Sequence, residues 1–542
     1  MRYCMAVKRG HGGSGDGNSR SGSGKSGTAA LSIGVRSAGF ASFIFIGKIL
    51  SLLLGAAMII IVSRVIGPSQ YGIYTLGTSL AGFVASFGAI NAGAYLNRII
   101  PKLEREGKRS SIGILIGDSV ALFLVVSVLL ILVCFILSGY IAQVVFGSSA
   151  DAIYVYAAAL AIAGIVIYPI VNTTLISVGT KAEVAWSTAL QLAIQAVVSI
   201  TLALLGYGAL GVLVGYISGY TIASVITIAF IALRVRILVS LTGMLHRLKE
   251  MFSYSVVLTA SGIISAVVSN FSVIFLGILL VPAALIGQYG IAMRIGQVID
   301  VMSGAISLVL IPMFSTAFFN KVHIQKIGKM YEGALYYAVL FSAPIVVYAS
   351  VLSRDIIVTV FTSAYSSAIL YMPLVSIGIL IGFLGSFASY LLASLGKVTR
   401  ILKYTAIGGI VEFIALLALA PYLHVLGVII AYFYIGGIVL AALYLKDFSS
   451  LRIRLDFGPL ARVVLSCLLL ALFMLPLWFL QIRPLYTMII GVVEALILYP
   501  ILVAKTGAVT GNELRVLDRV SNEIPFLGGA ARAIFAYAGK FV

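Results

Sequence analysis

Of the polar side chains inside long apolar runs, where chemistry is costly and therefore informative, five are the candidates for function. They are Lys48, Arg294, Gln297, Asp300 and Glu412. A lysine or arginine so placed can hold an anion, and a carboxylate can bind a cation or carry a proton. Lys48 lies about nine residues into its run, roughly 13 Å along a helix. From there it either lines a cavity and meets a phosphate or snorkels partway to the surface. Arg294 lies one turn into its run. Its guanidinium suits bidentate contact with a phosphate or diphosphate, or reaches outer headgroups. Asp300 follows six residues later, about 240° round the helix, so the two cannot pair within it. Gln297 is three residues from each and bridges their faces. Asp300 must then find a cation on another helix, such as Lys48, or a bound ion, or cavity water. Glu412 is either protonated or cavity-facing. Asp300 and Glu412 are expected to serve ion coupling or gating, and Lys48, Arg294 and Gln297 substrate binding.

The composition says what must position these groups. Of 542 residues, 61% are hydrophobic and 10% charged, where soluble domains run about 45–50% and about 25%. Mean hydropathy is +1.14. Lys and Arg number 36 against 17 Asp and Glu, a net charge of +19. These values exclude a soluble enzyme, a nucleic-acid-binding domain and a disulfide-stapled secreted protein. The excess cations point to a bilayer with an anionic inner leaflet. Cys4, Cys134 and Cys467 and the four histidines have no metal or redox spacing, so no metal or cofactor is expected.

A helix needs roughly 20 apolar residues to cross the hydrocarbon core. Fourteen runs qualify: 40–63, 73–97, 112–137, 152–176, 185–205, 212–233, 255–280, 291–314, 332–352, 367–394, 405–421, 428–446, 460–481 and 485–504. They are continuous rather than alternating, which indicates helices and not barrel strands. The fold class is therefore an all-α polytopic membrane protein. With the N-terminus inside, thirty-one of the 36 cations fall on the inner side and three (Arg64, Arg354, Arg483) on the outer. Lys48 and Arg294 are the two left away from span ends, Lys446 and Arg462 standing at inner span ends and counted as inner. This asymmetry predicts an even number of spans with both termini cytoplasmic, in the plasma membrane.

Residues 1–38 read as a disordered Gly/Ser-rich tail. Gly24-Lys25-Ser26 imitates the end of a phosphate-binding loop, but Ser19 stands where the pattern requires glycine. Residues 506–542 read as an amphipathic cytoplasmic tail, opened by a capping box at Thr510–Glu513.

A repeat organises the middle. Gln70-Tyr71-Gly72-Ile73 precedes the second span and Gln288-Tyr289-Gly290-Ile291 the eighth, each expected in an outside loop. Ile100-Pro101 and Ile311-Pro312 then close those spans. The expected division is an N-terminal six-helix lobe (39–234), a C-terminal six-helix lobe (235–446) and two added helices (447–505). Parallel repeats of this kind are a transporter design with the site between halves.

The stretch Ser63-Arg-Val-Ile-Gly-Pro-Ser-Gln-Tyr-Gly-Ile-Tyr74, with Gln288–Arg294 and Ile311-Pro-Met-Phe-Ser315, resembles the polysaccharide-biosynthesis (Wzx-type) flippases. These belong to the multidrug/oligosaccharidyl-lipid/polysaccharide (MOP) exporter superfamily. The resemblance implies a two-lobed, alternating-access carrier that moves a lipid-linked glycan outward, with membrane lipids, that glycan and glycan-assembly enzymes as partners.

Two other carriers stay open: a multidrug antiporter of the same superfamily, and a lipid II flippase. Spans 1 and 2 contain no carboxylate, which disfavours a cationic drug, while Asp300 and Glu412 keep that reading alive. A membrane glycosyltransferase would need acidic groups on an outside loop. The outer loops carry only Asp151 and Asp355, so an enzyme is not expected. Asp118 is expected to be solvated near the inner face. Glu494, outside the twelve-helix core, is expected to serve packing or oligomerisation. The span-buried Asn91, Asn172, Gln191, Gln195 and Asn270 are expected mostly in interhelical hydrogen bonds.

Overall fold

A computed structural model gives the fold. It describes residues 23–88, 92–178, 181–319, 323–450, 453, 455–480 and 482–510. Residues 1–22 of the expected N-terminal tail (1–38) lie outside the described residues, as do 511–542 of the expected C-terminal tail (506–542) and Asn91, while 23–38 belong to the helix that opens the described chain.

Helices and the segments that join them make up the described residues, with no strand among them. The first half holds α1 (Ser23–Gly88), α2 (Ala92–Arg105), α3 (Arg109–Ile136), α4 (Ser138–Phe146), α5 (Ala152–Val178), α6 (Lys181–Leu204) and α7 (Gly208–Ala232). Next come α8 (Met244–Ile278), α9 (Ala283–Phe319), α10 (Ile324–Val351), α11 (Ser353–Ile356) and α12 (Ala368–Ser394). The chain ends in α13 (Val398–Leu423), α14 (Val425–Ile429), α15 (Gly437–Ser450), α16 (Gly458–Met474) and α17 (Pro484–Lys505). Twelve helical segments are long and apolar enough to cross a membrane. Most are apolar on every side, as lipid-facing helices must be. The shorter α2, outside that set, is two-faced: it buries Leu96 and Ile100 and exposes Asn97 and Arg98.

The first expected span and the start of the second are two helical limbs that meet at a sharp kink. One span candidate, Leu50–Gly88, contains a break at Gly67. Gly67 takes φ 73°, which glycine adopts without strain, and Pro68 starts the next limb where its missing N–H costs nothing. Gln70–Ile73 is thus a first helical turn, and Gln288–Ile291 lies inside α9. Neither tetrapeptide is a loop, contrary to expectation.

The two repeats instead pack on each other. A Cβ on Gly72 would stand 1.7 Å from the Ala283 carbonyl oxygen, and one on Gly287 2.1 Å from that of Pro68. Only bare backbone fits here. The glutamines serve other helices: Gln70 Oε1 accepts from Ala209 N at 3.0 Å, and Gln288 Oε1 accepts from Ser367 N at 2.5 Å. At the same end Arg64 donates to the Thr359 and Val360 carbonyls, and Tyr365 Oη donates to Ser63 O at 2.8 Å. At the other end Tyr95 of α2 meets Tyr254 of α8, ring centroids 5.9 Å apart. Residues of the two expected lobes therefore touch at both ends.

Asp118 corrects the sequence expectation. It is fully buried rather than solvated. The segment after α7 runs across α3, where Gly113 and Gly117 admit the carbonyls of Arg236 and Leu238. That segment covers the carboxylate. Its Oδ1 accepts from Ser240 N at 3.0 Å, and its Oδ2 from Arg247 Nε at 2.7 Å and Nη2 at 2.5 Å. Arg247 also donates to the Ser240 and Thr242 carbonyls. One ion pair thus fixes the connector between the halves. Breaking a fully buried pair costs about 3–5 kcal/mol, and Arg247 keeps 27% exposure. We expect Asp118→Ala to cost about 2–3 kcal/mol, read as a clearly lowered melting temperature in detergent. An unchanged melting temperature contradicts the clamp.

Candidate functional site

The face of α9 that follows Gly287 carries Arg294, Gln297 and Asp300. Arg294 is half-buried and its Nη1 donates to Gln297 Oε1 at 3.1 Å. The expected role of Gln297 as a bridge holds on its Arg294 side. Around the guanidinium stand tyrosines of the first half. The Tyr71 and Tyr74 hydroxyls face it from the second limb of α1, and Tyr216 from α7. Tyr216 in turn packs on Tyr220, centroids 5.0 Å apart, and Tyr220 on Tyr168 at 5.6 Å. Tyr74 Oη is buried without a hydrogen bond of good geometry, its polar neighbours being Arg294 and Gln195. A cation from one half thus sits among phenols from the other. Phenol oxygens and ring faces both favour a guanidinium, and its remaining donors suit a phosphate.

Gln297 and Asp300 open onto a second feature. They line a cavity of about 400 Å³ together with Glu412 and Tyr432. Asp300 and Glu412, picked separately from the sequence, therefore share one chamber. Glu412 projects from α13, and its Oε1 is buried with no hydrogen-bond partner. Its carboxylate presses on Gly436, where a Cβ would lie 2.8 Å from Oε2. Gly436 and Tyr432 belong to the π-helical turn Ile430–Gly436, which interrupts the helix leading to α15. Such turns re-aim side chains at functional positions. Tyr432 lies electrostatically close to both Glu412 and Asp300, and Tyr289 close to Tyr432 and Glu412. The two repeat tyrosines are placed in parallel: Tyr71 lies beside Arg294, and Tyr289 near Tyr432 and Glu412.

The remaining sequence candidates divide plainly. Lys48 lies on α1, but its side chain falls outside the described residues, and so does its expected pairing with Asp300. Glu494 is half-buried on α17. Gln191 and Asn270 bond within their own helices rather than across helices: Gln191 Nε2 to Gln195 Oε1 at 2.9 Å, and Asn270 Nδ2 to Ala266 O at 2.7 Å. The intrahelical carbonyl one turn back is always within reach, and it competes with any partner across the gap. Residue-type reasoning missed the tyrosines. Their signal was present as Tyr216 and Tyr220, four apart on one helix face.

The family described as "Polysaccharide biosynthesis protein" matches residues 61–370. No curated protein matches the chain in sequence. Among solved structures, lipid II flippase MurJ in an inward closed conformation aligns with TM-score 0.68 at 16% identity, over 85% of this chain and 97% of that one. An inward-facing multidrug resistance transporter of the MATE family aligns with TM-score 0.60 at 16% identity, covering 74% and 95%. A MOP superfamily transporter from Pyrococcus furiosus aligns with TM-score 0.51 at 15% identity, covering 77% and 96%. At such identities the likeness is one of fold. The family match takes in more than half of the sequence: the chain belongs to the polysaccharide biosynthesis protein family and is built on the fold of the MOP superfamily.

Proposed function

We propose that this protein carries a lipid-linked oligosaccharide or polysaccharide precursor from the cytoplasmic to the outer leaflet by alternating access. The carrying observation is Arg294, a cation from the second half held among tyrosines of the first at the meeting of the halves. Family membership supports the glycan. The guanidinium and Gln297 take the phosphate link of the substrate, and Lys48, in the sequence of α1, is the second cation we assign to that anion. Tyrosine faces favour sugar rings beside it. The lipid tail stays in the bilayer, so only the polar head needs the protein path.

The topology we propose is fourteen spans with both termini cytoplasmic. It counts the two limbs of α1 apart and adds the 37-residue α9. Residues 39–234 and 235–446 are the rocking lobes and 447–505 the added helices. The plasma membrane is the site of action, with glycan-assembly enzymes as suppliers of the substrate. The protein is a carrier rather than an enzyme.

Drive comes from the acidic chamber. Asp300 and Glu412 bind or release a cation or proton, and Gln297 links that chamber to Arg294. The likeness to MurJ favours a second reading, a lipid II-type head. It uses the same groups, because that head also joins sugar to lipid through phosphate.

Export of lipid-linked glycan should fall at least tenfold in Arg294→Ala and several-fold in Lys48→Ala, on the scale of one or two charge-assisted contacts of about 1.5–3 kcal/mol each. Unchanged export in both removes the assignment. In proteoliposomes, Asp300→Asn and Glu412→Gln should lose the stimulation of transport by an imposed proton or sodium gradient while still binding substrate. Full gradient stimulation in both variants would show that the chamber is not the coupling site.

A further inference from the structure

A second polar cavity, of about 710 Å³, lies away from Arg294 at the opposite end of the bundle from Gly72. Its walls are α2 and the opening turns of α8. From α2 come Arg98 and Lys102, one turn apart on the same face, and from α8 come His246, Lys249 and Glu250. All five side chains are exposed. Like charges a turn apart destabilise a helix by about 0.2–0.5 kcal/mol, as Arg98 and Lys102 do here, and Lys249 adds a third cation from the facing wall. Glu250 is the one carboxylate among the lining residues, and it faces the Tyr95 hydroxyl. Among the described residues, Arg98, Lys102 and Lys249 form no ion pair. Arg98 instead lies over the Tyr254 ring, 4.9 Å from its centroid. That stacking orients the guanidinium edge and leaves its donors free. The cavity is therefore a basic cleft with fixed walls and too little anionic charge of its own. Basic pockets beside membrane helices bind phosphate headgroups by this chemistry.

We propose that the α2–α8 cleft is a binding site for a group with two neighbouring phosphates, held by Arg98 and Lys102 on one wall and Lys249 and His246 on the other. The shared chemistry is that of a diphosphate or of a two-phosphate lipid headgroup. The site uses none of the groups assigned to transport, so it stands or falls separately from the proposed substrate.

The test uses the full chain purified in detergent and titrated calorimetrically with inorganic pyrophosphate at fixed ionic strength. The wild type should bind it saturably. The double variant Arg98→Ala/Lys102→Ala should bind at least about tenfold more weakly, as the loss of two charge-assisted contacts implies. Lys326→Ala, which removes an exposed cation outside the cleft, should leave binding unchanged. If the alanine pair fails to fold, Lys249→Gln carries the same expectation, and Arg98→Lys/Lys102→Arg should retain binding. Native mass spectrometry from nanodiscs containing cardiolipin or only phosphatidylcholine separates the sources. Cardiolipin retained by the wild type and displaced by pyrophosphate assigns the site to a bilayer headgroup. Pyrophosphate binding without cardiolipin retention assigns it to a soluble diphosphate. Absence of saturable pyrophosphate binding to the wild type, or equal weakening by Lys326→Ala, overturns the proposal.

Discussion

Everything at the centre of this protein depends on one close backbone crossing. The second limb of α1 and the start of α9 approach until Gly72 touches the Ala283 carbonyl and Gly287 that of Pro68. Two helices meet so closely only where both lack side chains at the contact, and packing of small residues is the main attraction open to helices in lipid. The crossing sets the register of everything beyond it. Two turns along α9, Arg294 is brought among Tyr71, Tyr74 and Tyr216. One turn further, Gln297 receives the guanidinium and turns the helix face toward Asp300 and Glu412.

This geometry puts opposite chemistry on one helix. The cation of α9 faces the first half, and its carboxylate opens into a chamber of the second. A substrate phosphate at Arg294 and a cation or proton at Asp300 would be sensed by the same rigid element, with Gln297 between them. Coupling needs such an element with two discrete arrangements, biased by both sites. The Asp118–Arg247 pair has a complementary task. It pins the connector between the halves to α3.

Much of this was legible in the sequence. Continuous apolar runs gave the helices, because a lipid-crossing helix must be apolar on every side. Charges inside those runs gave Arg294, Asp300 and Glu412, because water is absent there and each charge needs a reason. Three-residue spacing gave Gln297. What stayed hidden depends on contacts between distant segments. Gln70–Ile73 and Gln288–Ile291 were visible as a repeat, yet nothing local says that they pack on each other. Glycine and proline at 67 and 68 do break the helix, but the joint takes one residue rather than a loop. Asp118 looked solvated because the segment that buries it lies about 120 residues away. The tyrosines around Arg294 read as ordinary span residues, since an aromatic in a membrane helix is unremarkable until a cation faces it.

The most direct measurement is a double-mutant cycle on transport by the reconstituted protein, using Gly72→Val and Arg294→Ala with a fluorescent lipid-linked oligosaccharide. If the crossing exists to place Arg294, each single variant lowers the flipping rate and the double variant is no worse than Arg294→Ala alone. Full transport by Gly72→Val, or losses that simply add in the double variant, would contradict the account.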